Sequence, residues 1–226
     1  PSDSVQDVTL FAKYTLRADE MFLNRMIGGT FEGSNDPDFR EKEVLYLINE
    51  KPKRLQTVVQ SYSSKSYRYV RYIGPKDSHC NIAEAAFYTP NDTASLKGKV
   101  IGTPGCFQKD GSHEYTNVFD GDVTTSFDYI EPSGGWSGLD LGTPKQIGRI
   151  VYTPRSYDNY IRSGDDYELF YCARRNNWKS LGDQRSKADS LIYIKIPVNA
   201  LLLLCNNTRG IQERIFVYTA AEQIWK

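Results

Sequence analysis

Apolar residues along this chain recur at every second position, in short runs separated by polar turns. VTLFAKYTL (8–16), EVLYLI (43–48), LQTVVQS (55–61) and YRYVRYI (67–73) carry this pattern in the first half. QIGRIVYT (146–153), DYELFYC (166–172), SLIYIKI (190–196) and RIFVYTA (214–220) carry it in the second. A two-residue period rich in tyrosine and β-branched residues predicts strands, because alternate side chains of a strand point to one face. Turn-forming clusters punctuate the runs: GSNDPD (33–38), NEKPK (49–53), GPKDSH (74–79), RNN (175–177) and NNTRG (206–210). Only 17–25 and 81–86 carry helical potential, and both are short. The pattern predicts an all-β chain, a sandwich or barrel, with no helix beyond about three turns.

Two segments resemble each other. CNIAEAAFY (80–88) parallels RGIQERIFVY (209–218), each with Ile-x-Glu ahead of an aromatic closing strand. Further upstream, MIGGTFEGSNDPDF (26–39) parallels DDYELFYCARRNNW (165–178). The repeat predicts two β modules, a reduced one over 1–92 and a fuller one over 93–226, joined near TPNDTASLKGK (89–99).

Bulk composition narrows the function classes. Lys+Arg and Asp+Glu are 28 each, so the net charge is zero, against the basic excess of an electrostatic nucleic-acid binder. A hydrophobic share of 39% is enough for a packed core. The longest apolar run, ALLLLC (200–205), is strand-sized and far short of a membrane span. PSDSVQD at the start has neither a basic head nor an apolar stretch, so it reads as the beginning of a mature chain. Cys80, Cys106, Cys172 and Cys205 form no CxxC pair, which argues against zinc or thioredoxin-type chemistry. Cys172 and Cys205 end apolar runs and read as buried free thiols. Cys80 and Cys106, in Gly/Ser-rich loops, are the pair to expect if a disulfide is present.

NVFDGDVTTSF (117–127) holds the densest chemistry. Asp120, Asp122 and the hydroxyls of Thr124 and Thr125 surround a turn at Gly121. Such a loop offers the oxygen-only donors that Ca²⁺ prefers. The same residues also make an Asx turn that needs no ion.

Taken in order, DGDVTTSF, WSGLDLG, IGRIVYTPR, DDYELFY…NNW and ERIFVY resemble the discoidin, or coagulation factor 5/8 type C, domains of the galactose-binding-like group. The resemblance covers most of 98–226, and FEGSNDPDF, YRYVRY and NIAEAAFY resemble the later part of the pattern. It implies a jelly-roll β-sandwich with ligand loops at one end. It also implies a secreted, periplasmic or cell-surface setting like that of Bacteroidetes proteins, where such modules accompany glycan-processing enzymes or partner proteins. A structural Ca²⁺ is implied as well. In the family a glutamate on the closing strand often completes that site, and Glu213 holds the matching position beside Asp120, Asp122 and Thr125.

A sugar site needs a flat aromatic face and a few fixed polar groups. PRSYDNYIR (154–162) offers Arg155, Tyr157 and Asn159, and family members that bind carbohydrate often carry arginine and asparagine in this loop. Where they often carry histidine, this chain has Asp128. Tyr129 and Trp136 follow as stacking candidates. The alternative reading makes Phe127 and Trp136 core plugs and pairs Arg155 with a nearby carboxylate. His79 and His113 both stand in loops, and no nucleophile or phosphate-cradling motif accompanies them. The expectation is therefore a noncatalytic, carbohydrate-binding or targeting region with a glycan partner, no nucleic acid and no membrane span. The competing expectation is a β-sandwich that binds protein and no sugar.

Overall fold

The computed structural model describes residues 4–174 and 177–226. Residues 1–3 of the N-terminal stretch and residues 175–176 of the expected RNN turn lie outside the described residues. The chain is all-β, with antiparallel sheets and, among the described residues, one five-residue α-helix, and it forms two compact units. A central unit runs from Asp19 to Tyr157, and a terminal unit combines Pro1–Ala18 with Asp158–Lys226.

Strand β1 (Val5–Leu10) belongs to the terminal unit. The central unit then contributes α1 (Glu20–Asn24), β2 (Thr30–Ser34), β3 (Lys42–Leu47), β4 (Thr57–Gln60) and β5 (Ser66–Ile73). It continues with β6 (Ile82–Tyr88), β7 (Lys99–Gly102), β8 (Trp136–Gln146) and β9 (Arg149–Pro154). These strands make a five-stranded sheet ordered β3-β2-β5-β8-β7 and a three-stranded sheet ordered β4-β9-β6. Phe31, Leu45, Val70, Tyr72 and Leu139 of the larger sheet share one core with Ile82, Ala85, Phe87, Ile150 and Tyr152 of the smaller. The unit is a sandwich held by the alternation seen in the sequence, since burying one face of each sheet is the main favourable term.

The opposite face of the five-stranded sheet is also largely covered. Arg71 donates to Glu32 through Nε at 2.8 Å and lies 2.7 Å from it through Nη2. Its guanidinium sits 4.1 Å from the ring centre of Phe39 and 5.2 Å from that of Trp136. Lys42 holds the other Glu32 oxygen at 3.0 Å, so this buried acid has two cations. On the core face, Gly33 is required, because a Cβ would meet the ring of the core residue Tyr67 at 2.6 Å.

The terminal unit adds β10 (Asp166–Arg174), β11 (Asn177–Arg185), β12 (Leu191–Pro197), β13 (Leu201–Asn206), β14 (Ile211–Gln212), β15 (Phe216–Thr219) and β16 (Glu222–Trp225). One sheet is ordered β11-β10-β13-β15-β16 with β14 on β13, and the other is β1-β12. Val8, Leu10, Leu191, Tyr193 and Ile196 of the β1-β12 pair meet Tyr167, Leu169, Leu202, Leu204 and Phe216 in a second core.

This division differs from the boundary expected at 92/93. Strands on either side of that point pair with each other: β5 with β8, and both β4 and β6 with β9. Severing the chain there would strip the central core of strands from both of its sheets. The N-terminal strand, in turn, pairs with β12, 188 residues away in the case of the Lys195 N–H and the Asp7 carboxylate. The repeat misleads because similar strand-and-turn patterns arise wherever a half-buried strand closes a sheet. The expected helical potential at 81–86 is also overridden, since those residues form β6 on the core. The helical stretch at 17–25 survives as a short 3-10 turn followed by α1. All four cysteines are free thiols, with Cys80 and Cys106 buried and Cys172 and Cys205 only half-buried. Among the described residues, no helix is long and apolar enough to cross a membrane.

Candidate functional site

The Asp-Gly-Asp loop lies in the central unit and is closed by its own side chains. Asp120 Oδ1 accepts the Asp122 N–H at 2.7 Å, and Asp122 Oδ1 accepts the Thr124 N–H at 2.8 Å. The Thr125 hydroxyl donates to Asp120 Oδ2 at 2.8 Å. Gly121 has φ +83° and open space where a Cβ would stand, so glycine is needed for its backbone angle. Its N–H donates to Glu84 Oε1 at 2.8 Å.

Glu84, on β6, therefore takes the place expected for Glu213. Glu213 belongs to the terminal unit, where its N–H donates to Leu204 O at 2.9 Å. Glu84 carries the Ile-x-Glu motif of the central unit, and it is hydrogen-bonded to the loop. Burial pushes the Glu84 carboxyl up to about 9, and the neighbouring Asp120 carboxylate adds to this, against the opposing Gly121 N–H. Two carboxyls so close, one partly buried, ask for a shared proton or a cation. Asp120, Asp122, Thr125 and Glu84 carry the hard oxygen donors that Ca²⁺ prefers, while among the described residues no three carboxylate, histidine or cysteine side chains are gathered into a metal group.

At the loops following α1, β5, Phe127 and β9, a second group of polar side chains is fixed by direct contact. Arg155 Nη1 donates to Asp128 Oδ2, and Asn81 Nδ2 donates to Asp128 Oδ1 at 2.7 Å. Arg25, just past α1, donates to the Asn81 side-chain oxygen. The Arg155 guanidinium lies 5.0 Å from the Phe22 ring centre, and Phe22 in turn lies 4.7 Å from Tyr157, ring centre to ring centre. Asp19 anchors the Tyr157 backbone by accepting its N–H at 2.8 Å. Phe22 is buried, whereas Tyr157 is 57% exposed. The result is an outward aromatic that shares the Phe22 ring with the Arg155 guanidinium, while Arg25 joins Asp128 through Asn81.

The sequence-derived ligand set divides accordingly. Arg155 and Tyr157 share this cluster, and Asp128 sits beneath them. Asp128 is buried with both oxygens engaged, so it positions Arg155 and Asn81 rather than meeting a ligand. Tyr129 packs on Phe127 at 5.9 Å, and its carbonyl oxygen lies 3.0 Å from His79 Nδ1. Trp136 starts β8 and packs on Phe39 at 5.7 Å, within the Arg71 group. Asn159 is fully buried in the terminal unit. There its side chain accepts the Lys13 and Tyr14 N–H groups at 2.9 Å each and donates to Tyr14 O at 2.9 Å. It is a backbone clamp.

Phe22, Arg25 and Asn81 complete the cluster and were not singled out in the sequence. Nothing local marks Arg25 or Phe22, which reach the site only because α1 is folded onto it. Asn81 stands directly before the Ile-x-Glu motif, and its position there was the available signal. No family model, curated protein or solved structure matches the chain.

Proposed function

We propose that this chain is a noncatalytic, extracellular carbohydrate-binding region in which the central unit is a galactose-binding-like jelly-roll module. Support for the module comes from the five-on-three antiparallel sandwich, together with DGDVTTSF, WSGLDLG and IGRIVYTPR, the three of the five resembling segments that lie in this unit. The sugar site in this reading is the cluster of Tyr157, Arg155 and Arg25, with Asp128 and Asn81 as positioning groups beneath. One observation carries it: an exposed tyrosine is backed by Phe22 beside a guanidinium that is already oriented by a buried carboxylate. An aromatic face for C–H stacking and a pre-set planar donor are what sugar hydroxyls and ring faces require. Pre-organisation lowers the entropic cost of binding.

Ca²⁺ in this reading is held by Asp120, Asp122, Thr125 and Glu84, and it supplies charge that ties the loop to β6. Its role is structural. The region serves a glycan-processing or surface protein by targeting it to its glycan.

The test is a glycan-array screen of the purified chain, followed by calorimetry on a hit. The expected affinity is weak, about 10 μM to 1 mM, or roughly 4–7 kcal/mol. Tyr157→Ala and Arg25→Ala are expected to weaken the hit while the fold survives. A hit that both variants bind as well as wild type would place the site elsewhere, and no hit at all would favour protein interaction.

A further inference from the structure

We propose that the terminal unit carries a site of its own, a cleft that takes an acidic saccharide with its carboxylate or sulfate held between Arg17 and Arg214. The cleft has a volume of about 620 Å³, and Tyr14, Thr15, Arg17, Gln212, Glu213 and Arg214 line it. That volume lies in the range of small-molecule sites. Both walls are fixed by the fold. One wall is the segment after β1, whose backbone at Lys13 and Tyr14 is clamped by the buried Asn159 amide. The other follows β14, which pairs with β13, and its Glu213 N–H donates to Leu204 O.

The charge of the walls is unbalanced. Arg162 and Arg209 of the same unit are tied to Asp158 and Asp165. Lys13 is tied to Asp158. Among the described residues, Arg17 and Arg214 take part in no such ion pair, and both are exposed. Glu213 is the one carboxylate in the lining. Burial raises its carboxyl above the ordinary glutamate range, with Lys13 opposing and Asp158 adding to this, and one carboxylate stands against two arginines. A guanidinium is planar and forked, and it binds carboxylate and sulfate oxygens in pairs. The Tyr14 ring, the Thr15 hydroxyl and the Gln212 amide add the stacking face and hydroxyl partners that favour a sugar over a bare ion. Nothing in this site depends on the cluster around Tyr157.

The test uses the full chain carrying Tyr157→Ala, which weakens the central-unit cluster, so that binding there and binding in the cleft are told apart by the arginine variants. Calorimetry is run with digalacturonate, a sulfated heparin disaccharide and neutral galactobiose. At least one acidic disaccharide is expected to bind, and the neutral one is not. Which acidic probe binds identifies the acid group. Arg17→Gln and Arg214→Gln, both at exposed positions, are each expected to weaken that binding about tenfold or more. Circular dichroism confirms that the variants stay folded. Absence of binding by both acidic probes, equal binding of galactobiose, or acidic binding unchanged in both arginine variants would each overturn the proposal.

Discussion

Both oxygens of Asp128 are occupied, one by Asn81 and one by Arg155, and this settles what substitution of Arg155 does. Removing the guanidinium leaves a buried carboxylate with only a neutral partner. Such losses cost about 3–5 kcal/mol for a fully buried pair, and the partial exposure of Arg155 puts this one nearer the lower end. Arg155→Ala is therefore expected to lower stability in urea melts as well as sugar binding, so it is a poor probe of the site by itself. Tyr157→Ala removes an exposed ring and is expected to change stability by less than about 1 kcal/mol. Glu84 offers a second residue-scale test. Glu84→Gln keeps an acceptor for the Gly121 N–H but removes the acid. In wild type, Ca²⁺ is expected to raise the melting temperature by mass action, and a chelator to reverse it. In Glu84→Gln that rise is expected to vanish, and an equal rise in both proteins would show that Ca²⁺ acts elsewhere. The sequence exposed the loop residues Asp120, Asp122 and Thr125 because they are contiguous. It favoured Glu213 over Glu84, since the two sit in equivalent local patterns, and only strand pairing shows that Glu84 is the one bonded to the Gly121 N–H.

Strands β5 and β8 are joined by more than their backbone ladder. Arg68 donates to both Asp140 oxygens, at 2.8 and 2.9 Å, and Asp140 also accepts the Gly142 N–H at 2.8 Å. Arg68 first, then the Gly142 N–H, hold the Asp140 carboxyl below the ordinary aspartate range. A depressed native-state pKa adds stability above the unfolded value, about 3.9, and that stability is lost as pH falls through the native value. The stability difference between wild type and Asp140→Asn is thus expected to be constant above about pH 4 and to shrink below it. Urea melts across that range measure it, and a difference that grows on acidification would contradict the assignment. At this scale the alternation in YRYVRYI was legible as a strand, and the structure places its Val70 and Tyr72 in the core. What the alternation concealed was the other face, where Arg71, Glu32, Phe39 and Trp136 bury one another. Polar residues at outward positions read as solvent-exposed until a covering loop brings Phe39 over them. Trp136 looked like a ligand platform for the same reason.

For the molecule as a whole, the all-β class was written in the period of the sequence, but its division into units was not. Sequence-local similarity pointed to a cut near residue 92. Long-range pairing places the units at Asp19–Tyr157 and at the two ends of the chain. Pairing between β1 and β12 has no local signature, because any amphipathic strand fits any open edge of matching register. The central unit is contiguous and has its own core, so a fragment of residues 19–157 is expected to melt cooperatively by circular dichroism. A fragment of residues 93–226 lacks β2 to β6 and is expected not to. A cooperative melt for the second fragment and none for the first would restore the division at residue 92.

The central claim, a sugar site at Tyr157 and Arg155, is met most directly by calorimetry of one array-selected glycan against wild type and Tyr157→Ala, both shown to be folded. Loss of a stacking face is expected to weaken binding several-fold, up to about tenfold, since aromatic contacts carry about 0.5–1.5 kcal/mol. Equal affinity of the two proteins for that glycan would contradict the account.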